Sequence, residues 1–446
     1  MPLVTEPEGT PPAADPTAPP PIAPVVLPPR VKAPRPAISA APAPPATRQA
    51  APSAGPEPAV PTPSESANAA ALAVETAKVL HVINGEHYSG AERVQDLLAG
   101  GLPEFGYQAG FALLKPGKFA EHRQSADAAI HEVPMRRRWS LGAARRLARV
   151  VRQNDYKLIH AHTPRGLLVA TLASRLTHVP LVYHVHSPAR RDSTRLFANL
   201  ANDLVERGCV RFPKQFITVS PSLTDHMVRL GAPADRVRCV LNGTPLLDEN
   251  HPATRFRRPP LPPYVVTMIA LFRPRKGAEV LIDAVAALRK KKIDVHVELV
   301  GPFETQKYEA EIDGRIKRHG LTEHVSRSAF TDDIPTVLAG ADALALPSLF
   351  GEGLPMVVLE AMSAGLPVIA TRCEGTTEAI LDRETGLLVR PKSVGQLADA
   401  IEELFVGPTD YTSMSVAARA RHAERFSDVA MARQVAAVYD RLLKKD

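Results

Sequence analysis

The chain of 446 residues has room for two ordinary domains of about 150 to 200 residues each, with some unfolded length besides. Its three cysteines, Cys209, Cys239 and Cys373, are odd in number and show no C-x-x-C spacing, which speaks against a disulfide framework or a structural zinc site and for a reducing compartment. The net charge of +7 and the pI near 9.3 suit an anionic partner, whether nucleic acid, an acidic membrane surface or a phosphorylated substrate, and do not choose among them.

No uncharged apolar run approaches the roughly 20 residues of a membrane-spanning helix, and the N-terminus lacks a basic segment followed by an apolar one. From residue 1 to 76 the sequence is dominated by Pro and Ala, as in APAPPATRQAAPSAGPEPAVPTP, and holds about half of the 44 prolines. Such a stretch has too little apolar mass to offset chain entropy. It is expected to be disordered with polyproline II character, serving as a spacer or as a docking ligand of SH3 type.

At residue 77 the texture changes. KVLHVIN, YQAGFALL, AIHEV, KLIHAHT, PLVYHVH, QFITVS and VRCVLN read as strands, with segments of helical period between most of them. Buried parallel strands are apolar on both faces and need helical crossovers, so this alternation predicts a doubly wound α/β domain over 77–250. Within it, RRRWSLGAARRLARVVRQ (136–153) predicts a helix from about Ser140, with apolar residues on one side for the sheet and arginines on the other, able to meet an anionic membrane. Charge and proline replace periodicity across 246–264, and the linker is set at 251–263. A second α/β domain then runs over 264–428, with YVVTMIALF, VHVELVG, VSRSAF, ADALALPS, LPVIAT and GLLV as strands. A ligand would sit in the cleft outside the carboxyl ends of the strands.

Three turns carry candidate chemistry. HVINGEHYSGAER ends a strand, turns at Ser89-Gly90 and enters a helix, so that Gly90 would let backbone approach a phosphate; alone this signal is no stronger than a plain tight turn. It is not the G-x-G-x-x-G dinucleotide fingerprint. FRPRKGAEV places Arg273, Arg275 and Lys276 ahead of a helix, where cations oppose the macrodipole unless an anion such as a diphosphate is bound. In FGEGLPMVVLE, Gly353, Leu354 and Pro355 make the turn into a helix whose first amides, at Met356 and Val357, are available to a phosphate. Glu352 and Glu360 flank that site, which suits a hydroxyl-rich ligand around a diphosphate: a nucleotide sugar.

E-G-L-P-M-V-V-L-E resembles the E-x7-E motif of the retaining family-four glycosyltransferases (glycosyl transferases group 1). SGAE, HAHTPRG, HVHSP, VSPSL, VLNG, RPRKG, VGPFE, AMSAGLPVIAT and ETGLLV extend the resemblance from about residue 78 to the C-terminus. It implies the GT-B fold, two Rossmann-like domains facing a cleft, with the acceptor on the first and the nucleotide sugar on the second. The helix over 429–446 is expected to cross back to the first domain. By the same resemblance Glu360 holds the donor ribose, Glu352 lies by the transferred sugar, Arg273 and Lys276 grip the diphosphate, and His186 approaches the donor sugar. The implied donor is a UDP- or GDP-linked sugar acting as co-substrate, with no cofactor. The implied acceptor is a sugar or lipid-linked sugar, often at the cytoplasmic face of the membrane, in polysaccharide or glycolipid synthesis. Nucleic acid is not an expected partner.

The family arginine five residues before the lysine falls on Leu271 here, which leaves its phosphate role to Arg273. VLNGTP replaces the usual acid of that loop with Pro245. His160 and His162, at i, i+2 with no cysteine or carboxylate alongside, read as structural rather than metal-binding. The sequence has no Asp-x-Asp, and Asp332-Asp333 reads as a helix start, so no metal is expected on the diphosphate. A sugar-nucleotide epimerase of the same fold, or a binding or scaffold protein weakened at Leu271, remain as alternatives.

Overall fold

The computed structural model describes residues 76–135, 140–188, 196–254 and 259–443, without the side chains of 196–198. The Pro/Ala-rich arm up to residue 75 lies outside the described residues, as do Arg136, Arg137, Arg138 and Trp139.

The first half runs β1 (Ala77–Ile83), α1 (Gly90–Gly101), β2 (Tyr107–Leu113), α2 (Lys118–His122), β3 (Ala129–Glu132), α3 (Leu141–Gln153), β4 (Leu158–Ala161), α4 (Pro164–Thr177), β5 (Leu181–Val185), α5 (Leu196–Cys209), β6 (Gln215–Thr218), α6 (Pro221–Leu230) and β7 (Val237–Cys239). Its strands form one sheet in the order β3-β2-β1-β4-β5-β6-β7. The second half runs β8 (Tyr264–Ile269), α7 (Ala278–Lys290), β9 (Val295–Val300), α8 (Gln306–Arg318), β10 (Val325–Ser328), α9 (Ile334–Gly340), β11 (Ala343–Leu346), α10 (Met356–Ser363), β12 (Val368–Thr371), α11 (Thr376–Ala379), β13 (Leu387–Val389), α12 (Val394–Val406), α13 (Tyr411–Arg425) and α14 (Asp428–Leu443). Its sheet order is β10-β9-β8-β11-β12-β13. Every pairing between these strands is parallel. The fold is thus GT-B, two doubly wound domains, and each strand run read from the sequence contains a strand.

The physical cause is burial on both faces. Every residue of β4, β5, β11 and β12 is buried, which only near-continuous apolar sequence permits. Helix starts are set by side-chain caps: Ser140, Thr163, Ser220, Thr305, Asp333, Ser393 and Asp410 each accept from the amide three residues on. The cap at Asp333 accounts for one of the acids left without a metal role above.

Strand order reverses at β1, between β2 and β4, and again at β8, between β9 and β11. Ligands of open α/β sheets bind at such switch points. The loops after β8 and β11 are those that carry the arginine–lysine turn and the two glutamates. Helix α14 packs on α1, with Tyr107 Oη donating to Asp440 Oδ1 at 2.6 Å. Ala432 of α14 lies so close to α1 that a Cβ on Gly101 would stand 3.0 Å from its own. The last helix therefore completes the first domain.

Candidate active site

The turn between β11 and α10 is held from three directions. Gly351 and Glu352 donate their amides to Glu374 Oε2 at 3.0 and 3.3 Å, and Asn242, on the loop after β7, donates from Nδ2 to the Leu354 carbonyl at 2.8 Å. Gly353 is pressed against the first domain: a Cβ there would lie 1.9 Å from the His186 carbonyl oxygen, so only glycine fits. Pro355 is the N-cap residue of α10 and supplies no side-chain cap. The first amides of that helix, Met356 and Val357, have no intrahelical partner and stand at its positive end.

Glu352 is the electrostatic centre of this turn. Its Oε1 accepts from Lys276 Nζ and Ser348 Oγ, each at 2.6 Å, and from Arg275 Nη1 at 3.3 Å. Burial alone would raise its pKa, but Lys276 and Arg275 outweigh burial and hold it at about 2. Lys276 shifts down, because burial outweighs the pull of Glu352. Arg275 also donates to the Gly351 carbonyl at 3.2 Å, so it braces the turn, while Arg273 lies 3.6 Å from Glu304 on the loop after β9. Leu271, where the family arginine was expected, is half-buried and brings no charge.

Across the cleft, the start of α1 faces the start of α10. Gly90 is exposed, and a Cβ on it would meet Met356 at 3.6 Å. One turn on, Arg93 Nε lies 3.8 Å from Glu360 Oε1. Burial pushes the Glu360 carboxyl up, with the Arg93 guanidinium pulling against it. The two glutamates thus differ, one anchored by cations in the second domain, the other answering to the first.

His186 follows β5 and its ring joins four others. His81 on β1, His160 and His162 on β4 and just after it, and His184 on β5 pack beside it in contacts of 4.2 to 5.3 Å between ring centroids. Burial lowers the pKa of every one, His81 and His186 to about 3, so the group is neutral. The structure therefore brings together Gly90, His186, Lys276, Glu352 to Val357 and Glu360 around one cleft, with Arg273 on its β9 side. Sequence reasoning did not find Arg93, Ser348, Asn242 or Glu374 as site residues. SGAER and VLNG contained two of them without marking their direction.

Residues 253–421 match the family described as Glycosyl transferases group 1, and residues 88–246 match Glycosyltransferase Family 4. The chain is 31% identical over 308 residues to D-inositol 3-phosphate glycosyltransferase of Corynebacterium glutamicum, covering 64% of this chain and 72% of that protein. It is 26% identical over 347 residues to phosphatidyl-myo-inositol mannosyltransferase of Mycobacterium leprae, covering 76% of this chain and 84% of that one. Among solved structures it resembles Anabaena HepE in complex with UDP and glucose, at 25% identity and a TM-score of 0.71, over 82% of this chain and 100% of that chain. Fold and site define a glycosyltransferase of GT-B architecture. The chain belongs to glycosyltransferase family 4.

Proposed function

We propose that this protein transfers a sugar, with retention at the anomeric carbon, from a UDP- or GDP-linked donor to a hydroxyl of a sugar or lipid-linked acceptor in cell-envelope polysaccharide or glycolipid synthesis. The observation that carries the reading is the switch-point turn, where Glu352, Lys276 and the free amides of α10 meet beside Glu360.

In this reading the donor diphosphate lies at the α10 N-terminus and between Arg273 and Lys276. Those cations and amides meet the leaving-group charge without reorganising, a preorganised electrostatic role that needs no metal. Glu360 accepts from the ribose hydroxyls. Glu352, anionic at any working pH, keeps Lys276 aimed and offers acceptor oxygens to the transferred sugar. No side chain here is an evident nucleophile, so the acceptor hydroxyl attacks from the face the diphosphate leaves.

The arginine side of α3 supports a lipid-linked acceptor at the inner face of the cell membrane. Arg145 and Arg149 are exposed and have no bonding partner among the described residues, while Ala143, Ala144, Leu147, Ala148 and Val151 are buried in the core, with α3 packed on α4. No described helix is long and apolar enough to cross a membrane. Incubation with a panel of nucleotide sugars, with and without membrane extract, tests the whole reading. Product formed only with acceptor, carrying the donor's anomeric configuration by NMR, is expected. Free epimer without acceptor would assign an epimerase, and no turnover with any donor would assign a binding protein.

A further inference from the structure

The turn that carries Glu352 contains an anion site that the chain fills itself. Gly351 and Glu352 donate successive amides to a single oxygen, Glu374 Oε2, at 3.0 and 3.3 Å. Successive amides that converge about a left-handed residue form a concavity that binds anions, and Gly351 has a φ of 77°. The turn therefore holds two sets of amides of different status. Those of Met356 and Val357 have no intrahelical partner, and those of Gly351 and Glu352 are taken by a side chain from the loop after β12.

That loop grips the turn at several points. Gly375 donates its amide to the Glu352 carbonyl at 3.1 Å, so both backbone polar groups of Glu352 end on residues 374 and 375. A Cβ on Gly375 would stand 1.4 Å from the Gly353 carbonyl oxygen, which leaves room for glycine alone. Upstream, Thr371 Oγ1 and Cys373 Sγ both donate to the Ser348 carbonyl, and Ser348 Oγ donates to Glu352 Oε1. The loop is itself fixed by Thr376, buried, whose hydroxyl accepts from the Cys373 amide at 3.1 Å. The side chain of Glu352 is thus set by Lys276 and Ser348, and its backbone by Glu374 and Gly375.

We propose that Glu374 is a positioning residue: its carboxylate is the built-in anion of the Gly351 and Glu352 amides and fixes the backbone from which the Glu352 carboxylate reaches Lys276 and the transferred sugar. The catalytic consequence rests on the transferase reading; the clasp itself does not. With that amide pair occupied, the donor diphosphate is left the amides of α10 and the cations of the β8 loop. The turn has little freedom to collapse where the carboxylate is removed, because Gly353 is confined between the His186 carbonyl and Gly375. Glu374 is only half-buried, so a small carboxylate from solution can reach the vacated amides.

Melting curves of the full-length wild type, Glu374→Ala and Glu374→Gln, in sodium formate and in sodium chloride of equal ionic strength, test the clasp without substrate. Glu374→Ala should melt below the wild type and be raised by formate beyond chloride. The wild type should show no such formate effect, nor should Glu374→Gln, whose amide oxygen can accept from both backbone groups. With a nucleotide sugar that the wild type turns over, kcat of Glu374→Ala should fall about 10- to 100-fold, as for a misplaced reacting geometry, with donor KM little changed. Formate should return part of that kcat, and Glu374→Gln should keep most of it. A Glu374→Ala protein that responds to formate no more than to chloride overturns the clasp, and one with wild-type kcat overturns the positioning role. A wild type that turns over no donor would fail the transferase reading, and the formate response would still decide the clasp.

Discussion

Lys276 Nζ lies 2.6 Å from Glu352 Oε1, a bond between the two loops that leave the second sheet at its switch point. It ties the cation of one loop to the acid of the other before any substrate is present. Because the folded-state pKa of Glu352, about 2, lies below its ordinary value of 4.5, its contribution to stability is complete above about pH 4.5. That contribution is lost as pH falls toward 2, and it amounts to ~3 kcal/mol at most. Glu352→Gln should therefore flatten the acid limb of the unfolding curve between those values. Identical limbs in wild type and variant would mean the ion pair does not stabilise the fold.

Lys276→Ala should lower turnover about 100-fold or more, as when a preorganised transition-state donor is removed. Arg273→Ala should do likewise, through the diphosphate. Arg275→Ala should act differently, since Arg275 donates to the Gly351 carbonyl and to Glu352: its loss loosens the turn and should appear first in the melting temperature. Kinetics in which Arg275→Ala is dead and Arg273→Ala fully active would exchange the two assignments.

Glu360→Gln should weaken donor binding by roughly 1.5 to 3 kcal/mol, the value of charge-assisted hydrogen bonds to the ribose, while the fold survives. Arg93→Ala should alter the same affinity from the other domain. Titration calorimetry with UDP and GDP decides the matter, and unchanged affinity in Glu360→Gln removes the ribose assignment.

Replacing Arg145 and Arg149 by Gln should reduce sedimentation with anionic liposomes, by about 1 kcal/mol for each arginine near the surface, and the difference should shrink as salt rises. Nucleotide affinity should not change. Wild-type protein that ignores such liposomes at low salt would point to a soluble acceptor.

The strands were legible because both their faces are buried: VLHVI, LVYHV and LPVIAT could hardly be anything else in a parallel sheet. The turn at FGEGLPM was legible because Gly353 and Pro355 leave few backbone choices around Glu352. Arg93 was not, because which way α1 turns its arginine depends on where the second domain lies, and no local pattern encodes that. The histidine cluster was hidden for a related reason. HAHT and HVHS each show a period of two, but their alignment with His81 is set by strand register, and the link through Tyr439 joins residues 279 positions apart. Read alone, HAHT marks His160 and His162 as strand residues and gives no view of their connection to His186.

The return of α14 to the first domain bears on how the molecule is made. The first domain emerges from the ribosome long before the helix that covers α1 and supplies Tyr439 has been translated. Until then the face that receives Ala432 and Tyr439 is bare, and the hydroxyl that links His81 to His160 does not exist. A nascent chain stopped before residue 428 would hold both sheets and the entire donor turn, yet its earliest-made half would be the unfinished one. Synthesis of α14, rather than completion of either sheet, is what closes the first domain.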